Sequence, residues 1–208
     1  MDKEDRCTVF SRIHSSNGWD CSETISGKGS TICMTALIRE RLPIILQWLN
    51  VNSLLDLPCG DFHWMSSVPL EGRVYIGADI VPSIVHQNIE QHGDTGTRQF
   101  LILDGIDDSL PKVDLILCRD LVIHLPNEDV LRLLKNFVRS GSKYLLLTRF
   151  LVQYGHIPIN GTVEYGGFRA VDPCLAPFNL PPPIVSLPES QGPYKTLGLW
   201  ELNTLKSL

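Results

Sequence analysis

Nowhere among the 208 residues does an apolar run reach the roughly 18 residues that cross a bilayer. The opening MDKEDRCTVFSR is charged where a secretory leader would be apolar. These absences predict a soluble chain that stays in the cytoplasm and does not span a membrane. Positive charge is also scarce: 18 Lys and Arg stand against 23 Asp and Glu, a net charge of −5. That balance disfavours a broad phosphate-binding face, and with it nucleic acid as a partner. The six cysteines (Cys7, Cys21, Cys33, Cys59, Cys118 and Cys174) include no C-x-x-C pair, and the six histidines form no H-x-H or H-E-x-x-H cluster. Neither a disulfide framework nor a zinc site is expected. Asn160-Gly161-Thr162 spells a glycosylation sequon, but without a secretory leader a chance match is the better reading.

What the chain does contain is an alternation of short apolar runs with helical patterns. SLLDL (53–57), RVYIGAD (73–79), QFLILD (99–104), VDLILCRD (113–120) and KYLLLT (143–148) are mostly continuous in hydrophobicity, the look of strands covered on both faces. Between them, VPSIVHQNIEQHG has Pro82 suited to a first helical turn and Gly93 suited to a stop. NEDVLRLLKNFVRSG places Leu131, Leu134 and Val138 on one face and ends at Gly141. Ahead of the first strand, TICMTALIRERLPIILQWL reads as one or two helices, with Pro43 breaking or restarting the pattern. From Tyr154 to Tyr194 prolines and glycines crowd together before a last strand-like run, TLGLWEL (196–202). This tail reads as irregular loops with two closing strands, since a final helical crossover has no room. The whole predicts an α/β, doubly wound, mostly parallel sheet with helices on both faces. With 43% hydrophobic residues the chain can bury one sizeable core, so one domain over 1–208 is expected.

In such sheets ligands sit beyond the carboxyl ends of the strands. Asp56 and the Pro58-Cys59-Gly60-Asp61 turn follow the first strand, Asp79 ends the second, Asp104-Gly105 the third and Arg119-Asp120 the fourth. Four acidic ends disfavour a phosphate cradle. The first turn also keeps only Gly60 of the three glycines in G-x-G-x-x-G, which let backbone N–H groups approach a pyrophosphate. A ligand with a ribose, an adenine and a charged amino-acid end asks less of that turn. It needs a carboxylate for ribose hydroxyls, a polar pair for the adenine rim and acidic groups near a cation.

On these motifs, from about Ser26 to the end, the chain resembles the class I S-adenosylmethionine-dependent methyltransferases. LLDLPCGDF stands where that family has its glycine-rich first motif, with Pro58 and Phe62 replacing glycines. YIGADI matches the second motif, LILDG looks like the third, and VDLILCRDLVIHL is similar to the fourth strand and the helix start flanking the methyl group. The resemblance implies a seven-stranded Rossmann-like sheet, S-adenosyl-L-methionine as cofactor and S-adenosyl-L-homocysteine as product. It makes Asp79, with Ile80, the ribose site and sets Asp104 and Gly105 beside the adenine. Asp56, Pro58, Cys59, Gly60, Asp61, Trp64 and Arg119 would surround the cofactor, under a lid of Ser26, Gly27, Gly29 and Ser30 that meets the cofactor's carboxylate or the acceptor, with Lys28 well placed electrostatically. Residues 1–50 would then be a helical and lid segment, 51–150 the cofactor core, and 151–208 acceptor-shaping loops and closing strands. The set SGKGST, PCGDFHWM, IGADI, CRDLVIHL and PFNLPPP with LGLW further resembles a subgroup that can occur joined to glycosyltransferase domains, viral glycan-building proteins among them. That implies a sugar hydroxyl as acceptor, such as one on a deoxyhexose like rhamnose, and host cytoplasm as the place of action.

Several residues carry a second, structural reading. Asp79 suits a helix cap before Pro82, and Asp56 and Asp61 suit bonds within their own turn. Trp64 and Met65 suit a core, Cys59 and Cys118 suit small buried positions, and SGKGST suits a flexible approach to a helix. Methyl transfer to a hydroxyl needs a base. His124 and Asp120 lie four apart and share a face if a helix begins near Asp120, making them the catalytic candidates. Asp104, Asp107, Asp108 and Asp120 leave a divalent metal open, but no ligand spacing selects one and none is expected. Tyr165, Arg169 and Phe178 are the expected sugar contacts, a guanidinium and aromatic faces suiting a polyhydroxyl ligand. The competing functions are N- or C-methylation of another acceptor, or a non-catalytic binding domain.

Overall fold

A computed structural model describes residues 3–70, 72–151, 159–189 and 194–205. The parts of the expected tail loops at 152–158 and 190–193 lie outside the described residues. The strands are β1 (Ser53–Asp56), β2 (Val74–Asp79), β3 (Arg98–Ile102), β4 (Leu115–Cys118), β5 (Tyr144–Phe150), β6 (Val185–Pro188) and β7 (Lys195–Glu201). The helices are α1 (Lys3–Ser15), α2 (Ala36–Trp48), α3 (Pro82–His92) and α4 (Asn127–Arg139). The seven strands form one sheet in the order β3-β2-β1-β4-β5-β7-β6. Pairing from β3 through β5 is parallel, and β7 runs antiparallel to both β5 and β6. This is the expected doubly wound, mostly parallel sheet, closed by two strands with no helical crossover among the described residues.

Neighbouring residues of one strand point to opposite faces, and here both faces are apolar. Leu55, Ile116, Leu145 and Leu147 face a core that holds the apolar side of α4, while Leu54, Leu115, Leu117 and Leu146 face a second core that holds α2. That two-sided burial explains why the central strands read as continuous apolar runs. β3 departs from it: as an edge strand it leaves Leu101 and Ile102 exposed. α3 starts on Pro82 and stops at Gly93, whose φ of 70° is left-handed.

One helix expectation is corrected and one is extended. Pro43 neither breaks nor restarts α2, which runs unbroken and buries Ile38, Leu42, Ile45 and Leu46 at helical spacing. Pro43 itself is only half-buried, so the Arg39 carbonyl deprived of its helical donor can meet water. In α4 the buried face centres on Val130, Leu133, Leu134 and Phe137, with Leu131 and Val138 at its edge. The face is turned because Asp129 and Asn136 are buried too. Asn136 donates to the Gly105 and Asp108 carbonyls at 2.7 and 2.8 Å. None of the helices among the described residues is long and apolar enough to cross a membrane.

Candidate active site

β1 and β4 lie side by side where successive crossovers diverge, the point at which doubly wound sheets bind ligands. The turn after β1 builds the floor. Leu57–Pro58 is cis, Cys59 N–H donates to the Ala78 carbonyl, and Gly60 has a φ of 53°. Gly60 N–H reaches Asp79 Oδ2 at 3.2 Å while Val81 N–H reaches Oδ1 at 3.0 Å. Asp79 therefore ties the β1 turn to the start of α3, and still faces the cavity. Burial pushes its carboxyl up to about 6, against the pull of these N–H groups.

The cavity, of about 130 Å³, is lined by Asp56, Pro58, Cys59, Gly60, Trp64, Asp79, Ile80, Arg119, Asp120, His124, Ser26 and Ser30 among the residues singled out from sequence. Asp56 does not bond within its own turn: it accepts the Tyr75 hydroxyl at 2.8 Å, and burial lifts it to about 7. Asp61 faces away from this cavity and pins the lid, accepting Thr24 Oγ1 at 2.6 Å, Ile25 N–H at 3.1 Å and Ser26 Oγ at 2.8 Å. Ser26 sits so close over Gly60 that any side chain at Gly60 would collide with its hydroxyl. The other end of the lid is held by Arg119, which donates to the Gly29 carbonyl at 2.7 Å, pairs with Glu189 and lies over the Trp64 ring. Lys28 is absent from the lining of this first cavity; it is exposed, lies 3.5 Å from Asp20 and belongs to the wall of a second, adjoining cavity.

A small annex of about 30 Å³ continues from the cavity, sharing Phe10, Pro58, Ile80 and Leu121 and reaching Asp104 and Gly105. Asp104 is tied to Arg6 of α1 at 2.7 Å and accepts Ile106 N–H at 2.9 Å. Gly105 is packed so tightly on Leu57 and Leu133 that a side chain would stand 2.8 Å from Leu57, which gives that glycine a packing role.

His124 lies in a 3-10 turn, Val122–His124, and α4 begins only at Asn127, so the helical sharing of a face with Asp120 does not occur. Its Nδ1 instead meets the Gly167 carbonyl at 2.6 Å, and the Trp19 ring stacks on it with centroids 4.4 Å apart. Burial lowers its pKa below that of a free imidazole. Asp120, with a left-handed φ of 61°, is gripped by Lys195 at 2.6 Å and Arg119 at 3.2 Å, which hold its carboxyl well below the usual range.

A second cavity of about 470 Å³ adjoins the first and shares Trp19, Ser26, Arg119, Asp120 and His124 with it. Its remaining wall includes Gly27, Gly29, Met34, Phe150, Phe168, Tyr194, Glu189 and Lys195. The three expected sugar contacts are elsewhere, and that assignment is corrected. Tyr165 donates its hydroxyl to Asp129. Arg169 is buried and bonds Asn127 and the carbonyls of Val122, Leu125 and Gly161, while Phe178 packs in the core beneath its guanidinium. These residues brace the chain segment that carries His124. Asn160 of the sequon is likewise engaged, donating to the Asp172 and Ala176 carbonyls, both at 2.9 Å.

Phe10, His14 and Trp19 in the first cavity, and Phe168, Lys195 and Tyr194 in the second, escaped the sequence reading. For the first group a signal exists: Arg6, Phe10 and His14 recur every four residues and so share a face of α1. Among the described residues no group of three or more His, Cys, Asp or Glu side chains is arranged to hold a metal ion.

No protein-family model and no curated protein sequence matches this chain. Solved structures do share its fold. Magnesium protoporphyrin IX methyltransferase from Synechocystis PCC 6803, with bound SAM, is similar over 97% of both chains at 15% identity and a TM-score of 0.59. Human N-acetylserotonin methyltransferase in complex with SAM is similar over 91% of this chain and 57% of its own, at 17% identity and a TM-score of 0.59. A protein from Pyrococcus horikoshii OT3 is similar over 80% of this chain and 89% of its own, at 15% identity and a TM-score of 0.56. The chain thus has the seven-stranded Rossmann-like fold of these methyltransferases.

Proposed function

We propose that this chain is an S-adenosylmethionine-dependent methyltransferase that methylates a hydroxyl of a neutral small acceptor, a sugar of a glycan in particular. The observation that carries the reading is the pair of adjoining cavities at the β1/β4 switch point, joined by a shared wall that contains His124 and Asp120. The first cavity's donors and acceptors fit the cofactor. The Asp79 carboxylate spends two of its acceptor positions on backbone N–H groups and has others for ribose hydroxyls. Pro58, Ile80 and Leu103 give apolar contact for an adenine beside Asp104, and Asp56 and Asp120 add negative charge near a cation. Bound there, the cofactor would supply a methyl group already activated on a sulfonium.

What the protein must add is positioning and a place for the hydroxyl proton. The Gly167 carbonyl can only accept, so His124 Nδ1 carries the proton and Nε2 keeps its lone pair. Burial keeps that imidazole neutral near pH 7. Nε2 takes the acceptor proton as the new bond forms. Asp120 acts differently: locked by Lys195 and Arg119, it stays ionised and favours the imidazolium that results.

The second cavity's character supports a neutral polyhydroxyl acceptor. Its inner charges are paired with one another (Arg119 with Glu189 and Asp120, Lys195 with Asp120 and Glu189), which leaves Lys28, exposed and 3.5 Å from Asp20, as the cation on its outer wall. Phe168 and Tyr194 present exposed rings at its rim, a surface on which the apolar face of a sugar can lie. The subgroup resemblance points to the same acceptor class, and to a domain that works beside glycosyltransferases. The test is transfer of one methyl group, read by mass, to saccharides and to amine acceptors offered side by side, with wild type and His124→Ala. Saccharide methylation is expected, with kcat falling by about 10²- to 10⁴-fold in the variant and no effect of EDTA. Methylated amines alone would refute the acceptor class. Near-wild-type rates in His124→Ala, or activity lost to EDTA and restored by a divalent cation, would move proton removal to the aspartates.

A further inference from the structure

We infer that Trp19 is a positioning residue for His124: its indole covers one face of the imidazole and partitions the two cavities, holding Nε2 at their junction. The inference rests on the base role proposed for His124. The two ring centroids are 4.4 Å apart at an interplanar angle of 34°, a tilted contact at the short edge of attractive aromatic packing. Trp19 belongs to neither of the two apolar cores and is only half-buried, so core packing does not account for it. Trp19 and His124 are both among the five residues that line both cavities.

Both rings are held from behind. Trp19 backs onto Gly27, whose φ is 90° and where a side chain would stand 2.9 Å from the Trp19 Cβ. The nearby Thr24–Ser26 stretch is bolted to Asp61, and Gly18 N–H donates to the Ile13 carbonyl at 2.8 Å. On the far side, Gly166 N–H donates to the His124 carbonyl at 3.1 Å and Gly167 accepts from Nδ1. Gly166 has a φ of 77° and packs so closely on Ile13 that no side chain fits there. The imidazole is therefore clamped between two loops that both rest on α1, with Trp19 as the jaw that keeps water off its face.

The charged groups that act on the ring are Asp120, on its own segment, which favours the protonated form, and Lys195, on β7, which opposes it. Burial outweighs both and keeps the ring neutral, so removing its cover should make His124 easier to protonate. In Trp19→Ala the acid limb of the kcat profile should move to higher pH, together with the NMR titration of the His124 ring, and kcat should fall by about 10- to 100-fold from lost alignment. Trp19→Phe keeps an aromatic face and should recover most of that loss. If Trp19→Ala does not fold, Trp19→Ser, which equally uncovers the imidazole, carries the same expectation. A His124 titration and acid limb unmoved in a folded Ala or Ser variant overturns the inference, as does a Phe variant as damaged as the Ala variant. Failure of the base role reads out separately, as undiminished activity in His124→Ala while the NMR titration still reports whether Trp19 covers the ring.

Discussion

Replacing Asp79 by Ala tests the cofactor half of the site most directly. In the folded protein its two oxygens each hold one backbone N–H, from Gly60 at 3.2 Å and Val81 at 3.0 Å. A carboxylate offers about four acceptor positions, so about two remain for hydroxyls. Hydrogen bonds to a charged group contribute about 1.5 to 3 kcal/mol each, but part of that is already supplied by water in the free cavity. A net loss of about 1 to 3 kcal/mol follows, or roughly 5- to 150-fold in Kd for S-adenosylmethionine. The pH dependence adds a second, sharper signature. Hydroxyl donors select the ionised carboxylate, and burial lifts this group to about 6. Wild-type affinity should therefore hold above that value and weaken as pH falls through it. Asp56, lifted to about 7, titrates nearby, so the informative quantity is the slope that wild type has and Asp79→Ala lacks. For the stability of the free protein the sign is opposite. A folded carboxyl with a raised pKa keeps a proton that the unfolded chain has released, so this group's contribution falls as pH rises from about 4 to about 6. Calorimetric titration from about pH 5 to about pH 8 reads the affinity and its slope together. An Asp79→Ala protein that is folded and binds with unchanged Kd and slope would remove Asp79 from the cofactor site.

Two further outcomes follow from the corrected tail. Arg169→Met strips the donors from the carbonyls of Val122, Leu125 and Gly161, and should lower the thermal unfolding midpoint by roughly 5 to 10 °C. An unchanged midpoint with a raised acceptor KM would instead return Arg169 to the acceptor pocket. Phe168→Ala removes an exposed ring from the rim of the second cavity. It should raise acceptor KM severalfold while cofactor affinity stays put; steady-state kinetics with an unmethylated saccharide acceptor checks this, and an unmoved KM counts against sugar stacking.

Much of the sheet is readable from sequence because its signals are local. Leu54 and Leu55, or Leu115, Ile116 and Leu117, must alternate faces, so an unbroken apolar run already says that both faces are covered. Pro82 and Gly93 mark the ends of α3 through backbone geometry that needs no tertiary context. The misreadings occur where distant partners decide. Nothing near Pro43 reveals that its face of α2 would stay partly wet, and nothing near Leu131 reveals that Asp129 would be drawn inward by Arg6 and Tyr165. Arg169 and Phe178 have the residue types of a sugar site, yet those types equally suit a buried brace. Only the fold shows which carbonyls lacked donors. The two-cavity wall is the hardest case, since Trp19 and His124 lie far apart in sequence and meet through the loop after α1 and the turn after β4, while Lys195 of the last described strand grips the neighbouring Asp120.

That last strand sets an order of events during synthesis. β7 inserts between β5 and β6, both of which leave the ribosome before it, and its first residue supplies the cation that grips Asp120. A nascent chain stopped short of Lys195 would hold every element of the first cavity and still lack that cation. It would also leave the inner edges of β5 and β6 without the hydrogen bonds that β7 provides. Completion of the sheet and the grip on Asp120 thus depend on one and the same strand, Lys195–Glu201.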